Sequence, residues 1–430
     1  MHVKICTIGL GYIGLPTSVT FAQHGADVVG VDVYHKVVET LNSGRIHIEE
    51  PGLEEAVKDV VERKKFRASL MPEEADVFII AVPTPNIDDE HKSCDLSYVL
   101  QATKQILAYV KKHNVIIIES TIAPRSMDDH VKPLIEAAGF VVGKDIYLVH
   151  CPERVLPGKI LHEIVHNNRI VGGVTEACAE AGANVYRTFV KGEIIKTNAR
   201  TAEMSKLMEN TFRDVNIALA NELTKVCNDL GINTLEVIEM ANKHPRVNLH
   251  HPGPGVGGHC LAVDPYFIVA KSPDLAKIIH LSRETNSSMP HYVAANAEKL
   301  VRGIHNPKIA VLGVTYKADV DDIRESPAME IVELLSGTGF RLSIHDPHVN
   351  TLDPRFVSAE EALRDADLIL LLTDHTEFRV MDFSPYVKGM RNRLLFDTRN
   401  SVKPENAQGL QTVNFGNLYQ FVNNLETVIA

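Results

Sequence analysis

The sequence predicts an α/β protein with two doubly wound parallel-sheet domains, joined by a helical middle segment that contains a long central helix. Three observations lead there. Strand-sized apolar runs alternate with helical patterns in the first part of the chain. Thr201 to Leu230 then keeps helical spacing without a glycine. From Lys308 the alternation of strand and helix starts again. A chain of 430 residues exceeds what one core organises, and we divide it into 1–200, 201–300 and 301–430.

In the first domain, Val3 to Ile8 is an apolar run that enters Gly9-Leu10-Gly11-Tyr12-Ile13-Gly14. A small-residue helix carrying Thr17 to His24 follows, then a strand from Asp27 to Val31 that ends at Asp32. Glycines at those three positions allow a tight turn, close approach to a pyrophosphate and close helix packing. Asp32 lies 18 residues past Gly14 (32 − 14), where a carboxylate can hold the ribose hydroxyls of NAD and repel the 2′-phosphate of NADP. The alternative is a glycine turn that binds no nucleotide; the ordered context makes NAD the expected cofactor and the domain Rossmann-like. Further strands are expected at Val77 to Val82, Val115 to Glu119 and Ile146 to Cys151. Pro83 and Thr84, and likewise Thr121, follow two of these at the carboxyl edge, where ligands bind in open parallel sheets. Glu153 directly follows the third.

The middle segment opens with the long helix, on which Lys206 and Asn210 form an i,i+4 pair. Periodicity leaves open whether they belong to a site or to a solvated face. The stretch Gly255-Val256-Gly257-Gly258-His259-Cys260-Leu261-Ala262-Val263-Asp264 sets a cysteine behind glycines and a carboxylate four residues on. Were a helix to begin near Cys260, its amides would favour the thiolate and Asp264 would face the same way. A buried structural cysteine is the other reading. With NAD, a thiol opens a definite route: an alcohol loses hydride to give an aldehyde, the thiolate traps it, and a second hydride loss gives a thioester that water cleaves. That route needs a base, a cation for the oxyanion and a carboxylate to direct water.

The last segment expects strands at Ile309 to Leu312, Leu342 to His345, Leu368 to Leu372 and Leu394 to Phe396, with a helix at Ser326 to Leu335. It reads as a second Rossmann-like domain without a second G-x-G-x-x-G.

A net charge of −11 disfavours nucleic acid as a partner. Six cysteines without a C-x-x-C pair argue against a zinc site or a disulfide framework, so no metal is expected. No apolar run is long enough to span a bilayer, and no secretory signal opens the chain. A cytoplasmic protein without a membrane partner is expected. Cys94 lies in a polar loop beyond a parallel strand, and a reversible Cys94–Cys260 disulfide would switch the thiol chemistry off on oxidation.

Together GLGYIGLPT, AVPTP, EST, CPERVLPG, RTAEMSKLMENTFRDVN, HPRVN, GPGVGGHCLAVDP and TYKADVDDIRESPA resemble the UDP-glucose/GDP-mannose dehydrogenase family, in its order and over nearly the whole chain. His259 stands where the UDP-glucose enzymes usually carry serine, and CPERVLPG with HPRVN resembles the branch acting on UDP-N-acetylhexosamines. The resemblance implies NAD-dependent four-electron oxidation at C6 of a UDP-N-acetylhexosamine, the manno epimer, to a uronate for bacterial surface polysaccharide. UDP-N-acetylglucosamine or UDP-glucose is the alternative substrate, and a nucleotide-sugar-binding protein without catalysis is the alternative class. By motif it implies Cys260 as nucleophile, Lys206 as oxyanion cation with Asn210 beside it, Asp264 in proton transfer and Glu153 in thioester hydrolysis. Gly9, Gly11, Tyr12, Ile13, Gly14, Asp32, Pro83, Thr84, Thr121 and Arg324 correspond to cofactor contacts. Leu156, Gly158, Lys206, Asn210, Gly257, Lys317 and Arg246 correspond to UDP-sugar contacts, Arg246 across the interface of a homodimer formed around the long helix. In that arrangement 1–200 binds NAD, 201–300 carries catalytic residues and dimerises, and 301–430 binds the UDP-sugar.

Overall fold

The computed structural model describes residues 3–156 and 158–422. Residues 1, 2, 157 and 423–430, the last of them the end of the domain expected over 301–430, lie outside the described residues. Two compact units are present: residues up to Glu209 with Tyr266–Pro273, and Asn210–Pro265 with the chain from Asp274 onward. The stretch 201–300 is shared between them.

The first unit holds β1 (Lys4–Ile8), β2 (Asp27–Val31), β3 (Phe66–Ser69), β4 (Val77–Ile80), β5 (Val115–Ile118), β6 (Tyr147–His150), β7 (Arg169–Gly173) and β8 (Ile194–Asn198). The sheet order is β3-β2-β1-β4-β5-β6-β7-β8. All four residues of β4 and of β5 are buried because helices cover both faces, which is why those strands read as unbroken apolar runs. Strand order reverses between β1 and β4, the place where such sheets bind ligands.

One step departs from the expected parallel sheet: β7 runs antiparallel to β6, with His150 opposite Gly172 and Val149 opposite Gly173. An antiparallel step needs no crossover onto a sheet face. It also reverses polarity, so Arg169 at the start of β7 lies at the carboxyl edge, beyond the end of β6.

The second unit holds β9 (Lys308–Leu312), β10 (Arg341–His345), β11 (Leu368–Leu371), β12 (Leu394–Asp397) and β13 (Gln411–Asn414), all parallel, in the order β10-β9-β11-β12-β13. Its switch point lies between β9 and β11. The long helix spans Ala199–Leu230, 32 residues, and changes unit after Glu209. No helix among the described residues is long and apolar enough to cross a membrane.

Candidate active site

The first unit builds a nucleotide cradle after β1. Gly9 has φ +93°, and a Cβ there would meet the Ala81 carbonyl oxygen at 2.5 Å; one on Gly14 would lie 1.9 Å from the Gly9 carbonyl. A Cβ on Gly11 would meet nothing within 4 Å, so that side of the turn is open. The helix Gly14–Gln23 starts with no side-chain cap from Ile13 and no acidic residue in its first turn. The Leu15 and Thr17 amides donate to the Gly11 and Ile13 carbonyls (both 3.1 Å) and Pro16 has no N–H, so what the helix start offers the pyrophosphate of NAD is the positive end of its dipole behind the open glycine turn. Asp32 accepts from the Leu10 amide (Oδ2, 3.2 Å) and the Tyr34 amide (Oδ1, 3.0 Å) while half-exposed. Those bonds fix the carboxylate at the mouth of the turn. Tyr12 is exposed, Ile13 half-buried and Pro83 exposed. Thr84 Oγ1 donates to the Thr121 carbonyl at 2.6 Å, joining the two threonines expected at the cofactor edge. The residues present fit NAD.

Beyond β6, Glu153 is buried, with Oε1 accepting from the Arg154 amide (2.8 Å) and Oε2 from Arg169 Nη2 (2.7 Å). Leu156 and Gly158 lie exposed on the following loop. That loop is held by a residue spacing could not reveal: buried Glu50 accepts from the Gly158 and Ile160 amides, both at 2.7 Å. Glu203, one helical turn before Lys206, likewise accepts from the Arg125 (2.6 Å) and Met127 (2.8 Å) amides.

On the long helix Lys206 is half-buried and Asn210 buried. Asn210 Nδ2 donates to Asp264 Oδ2 at 2.6 Å, so this asparagine belongs to a buried polar pair rather than to a solvated face. The helix expected near Cys260 starts later, at Asp264 and runs to Lys271. Cys260 stands exposed in the preceding turn, its carbonyl accepting from the Asp264 amide at 2.9 Å, whereas Asp264 is 3% exposed. Cys260 therefore lies outside the helix that Asp264 opens, one side chain exposed and the other buried against Asn210. A helix dipole falls off within its first turn, so it contributes less at Cys260 than expected.

The glycines before Cys260 are packed rather than loose. A Cβ on Gly257 would lie 2.1 Å from the Glu325 carbonyl, and one on Gly258 2.7 Å from the Tyr316 ring. A chain of amides ties this loop to the long helix: Gly253 N donates to Asn221 Oδ1 (2.9 Å), Asn221 Nδ2 to Asn286 Oδ1 (2.9 Å), and Asn286 Nδ2 to Asp214 Oδ1 (2.8 Å). Arg283 Nη1 completes it on the same Asp214 oxygen at 2.6 Å. Burial raises the Asp214 carboxyl and the Arg283 charge lowers it, with a net upward shift. A cavity in the second unit is lined by Pro254, Gly255, Thr315, Tyr316, Lys317 and Arg399, among others. Lys317 is exposed there. Arg324 forms a two-pronged pair with Asp322 (Nε to Oδ1, 2.9 Å; Nη2 to Oδ2, 2.8 Å), and His259 Nε2 lies 3.2 Å from the same carboxylate. Arg246 is exposed in the loop after the helix Thr234–Ala241.

Residues 3–190 match the model of the NAD binding domain of the UDP-glucose/GDP-mannose dehydrogenase family, residues 200–288 its central domain and residues 310–404 its UDP binding domain. The chain is 47% identical to a UDP-N-acetyl-D-mannosamine dehydrogenase of Methanococcus maripaludis over 404 residues, 92% of each chain. It is 44% identical to an NDP-N-acetyl-D-galactosaminuronic acid dehydrogenase of Ralstonia nicotianae over 411 residues, covering 92% of this chain and 95% of that one. Among solved structures, the UDP-N-acetyl-mannosamine dehydrogenase of Staphylococcus aureus is similar with a TM-score of 0.91 at 58% identity, over 97% of this chain and 100% of that one.

Proposed function

The chain belongs to the UDP-glucose/GDP-mannose dehydrogenase family and is an NAD-dependent UDP-sugar dehydrogenase, and from that premise we propose that it oxidises UDP-N-acetyl-D-mannosamine at C6 to the uronate. The observation that carries the choice of sugar is the 58% identity, over 97% of the chain, to an enzyme named for that substrate. NAD, when bound, would accept one hydride, so the two oxidations would draw on two NAD in succession.

The chain's own residues supply the rest. Asp264, or a water it holds, takes the alcohol proton as the first hydride leaves; its bond from Asn210 keeps the carboxylate turned inward. The Cys260 thiolate forms a C–S bond to the aldehyde carbon, and the oxyanion so made is stabilised by the Lys206 ammonium. Loss of the second hydride leaves a thioester. Glu153 then takes a proton from water as the water oxygen bonds to the acyl carbon, the C–S bond breaks, and thiolate and carboxylic acid separate. The diphosphate of the substrate needs cations, and Lys317 and Arg246 are the residues we assign to it. Leu156, Gly158 and Gly257 provide backbone on which the sugar rests, and Arg324 serves the cofactor side.

Met204, Met208, Phe212, Leu219, Val226 and Leu230 form an exposed apolar stripe along the long helix. Stripes of this kind mark partner surfaces, which supports a homodimer built on that helix with 201–300 as its dimerisation segment; a monomer in sedimentation at micromolar concentration would remove it. We assign the reaction to the cytoplasm and its uronate product to a surface polysaccharide.

The test is the NADH yield and turnover with UDP-N-acetylmannosamine, UDP-N-acetylglucosamine and UDP-glucose. Two NADH per sugar with preference for the manno substrate is the expected result. Preference for UDP-glucose overturns the assigned sugar, and one NADH per sugar overturns the thioester route.

A further inference from the structure

Beside Glu153 the first unit buries a second carboxylate that the reaction above does not use. Glu119, at the end of β5, is fully enclosed, and its Oε1 accepts from the Tyr186 hydroxyl at 2.6 Å. Between the two carboxylates lies the guanidinium of Arg169, 5% exposed. Its Nη2 donates to Glu153 Oε2 at 2.7 Å, while its Nη1 lies 3.7 Å from Glu119 Oε1 and 3.7 Å from Cys151 Sγ. The cation also stacks over the Tyr186 ring, 4.5 Å from its centroid. The antiparallel turn of β7 puts Arg169 there: continuing the His150–Gly172 register by three residues sets it opposite Glu153.

Charge decides how this cluster is occupied. One buried cation balances one buried anion, and a second unpaired anion in such surroundings is costly. Glu153 has the shorter bond and a backbone donor, so it takes the charge. Burial raises the Glu119 carboxyl well above the usual range, with Arg169 lowering and Glu153 raising it. The other groups facing Glu119 are uncharged: Thr17, the Tyr186 phenol, and the Cys151 thiol, which burial pushes up to about 12.

We propose that Arg169 is the positioning residue for thioester hydrolysis, holding Glu153 as an aimed anion, and that Glu119 is a second carboxylate competing for the same guanidinium. Each Glu153 oxygen accepts one bond and keeps a lone pair for water. When Glu119 loses its proton, Arg169 is shared and Glu153 is held less firmly. The inference rests on the reading of Glu153 as the group that guides thioester hydrolysis.

The experiment follows the acyl-enzyme on Cys260 by intact mass and the NADH burst by stopped flow. It uses NAD with UDP-N-acetylmannosamine or whichever UDP-sugar turns over fastest. Arg169→Lys keeps the charge and loses the two-pronged fork. It should release two NADH per site in a burst of wild-type rate, then turn over roughly 10–100-fold more slowly as the uronyl adduct accumulates, with KM for the sugar little changed. Glu153→Gln should accumulate the same adduct. Wild-type adduct decay in Arg169→Lys, alongside accumulation in Glu153→Gln, overturns the assignment of Arg169 and leaves the role of Glu153 standing. No adduct in Glu153→Gln overturns that role itself. Should the lysine variant not fold, Glu119→Gln decides: the ratio of its adduct decay rate to that of wild type should climb between about pH 6 and about pH 8, where the raised carboxyl ionises. A ratio constant over that range overturns the proposal.

Discussion

The two parallel sheets build the same turn and close it differently. After β1, Gly9 has φ +93°, its amide donates to Val31 O at 2.8 Å, and Leu10 N and Tyr34 N donate to the two oxygens of Asp32. After β9, Gly313 has φ +78°, its amide donates to His345 O at 2.9 Å, and Val314 N (2.7 Å) and His348 N (2.9 Å) donate to the two oxygens of Asp346. Each glycine is pressed against the loop after the neighbouring strand, Ala81 in one and Thr373 in the other. The difference lies in what happens next. Asp32 stays half-exposed beside an uncapped helix. The Asp346 carboxylate is fully buried under His375, whose Nε2 lies 3.1 Å from it, and the following helix is capped by Ser326 Oγ on the Ala328 amide. A shared backbone device thus stays open in one unit, as our reading of an NAD site there requires, and is a sealed structural joint in the other. In the second unit the cations sit instead on the longer loop between Gly313 and Pro327, which carries Lys317 and Arg324.

The largest effects should come from the glycines. Gly14→Ala forces a methyl against the Gly9 carbonyl, and Gly313→Ala places one 2.6 Å from Thr373 Cβ at a left-handed φ. Each should cost on the order of 3 kcal/mol, read as a fall in the calorimetric midpoint. Only Gly14→Ala should also weaken NAD binding, by roughly 100-fold in an NADH fluorescence titration. Equal loss of NAD binding in both variants would break the contrast. Next come the two aspartate joints. His375→Ala strips buried Asp346 of its side-chain partner and removes the acceptor for the Asp319 amide, Nδ1 at 3.0 Å. A cost of about 2–4 kcal/mol is expected, with NAD affinity unaltered. Asp32→Asn should change stability little and narrow the preference for NAD over NADP by roughly tenfold, about 1.4 kcal/mol. A stability loss in Asp32→Asn as large as in His375→Ala would mean that both carboxylates are structural.

The central strands of both sheets were legible because burial on two faces writes an apolar run; VIII at Val115–Ile118 and LILL at Leu368–Leu371 could hardly be read otherwise. The strands that escaped are β3, β8 and β13 at sheet edges, and β7. Edge strands have one flank without a partner, and in Ile194–Asn198 accordingly no residue is buried, with Ile195, Lys196 and Asn198 exposed. Arg169–Gly173 is interior but opens on an arginine, a residue depleted in cores, and its partners Glu153, Tyr186 and Glu119, none of them near it in sequence, make that burial tolerable. The same reason hid Glu50, Glu203 and Asn221. Each is polar and buried and looks like surface until the amides it serves are seen. Cys260 and Asp264 are marked locally by the glycines before them, whereas helical spacing leaves Lys206 and Asn210 indistinguishable from a solvated face and only the family resemblance singles them out; the inward turn of Asp264 to Asn210, 54 residues away, is not legible locally.

The smallest effect separates the two units by the sign of their pH response. In the first unit, burial raises Glu203 to about 7 from 4.5, against the lowering bonds from the Met127 and Arg125 amides. Folded protein therefore keeps a proton that the unfolded chain has released, so this contribution is complete below about pH 4.5 and is lost as pH rises towards 7, at up to ~1.4 kcal/mol per pH unit. In the second unit burial raises the Asp346 carboxyl, but the bonds from His375, Val314 N and His348 N outweigh it and the net shift is downward. That contribution is present above the ordinary aspartate value and disappears as pH falls below it. The denaturation midpoint of the first unit should accordingly fall between about pH 5 and about pH 7, whereas amide exchange at Val314 and His348, corrected for its intrinsic pH dependence, should lose protection only below about pH 4. Glu203→Gln should abolish the first trend and leave the second. Both trends running in the same direction with pH would show that the two joints are not set by their own carboxylates.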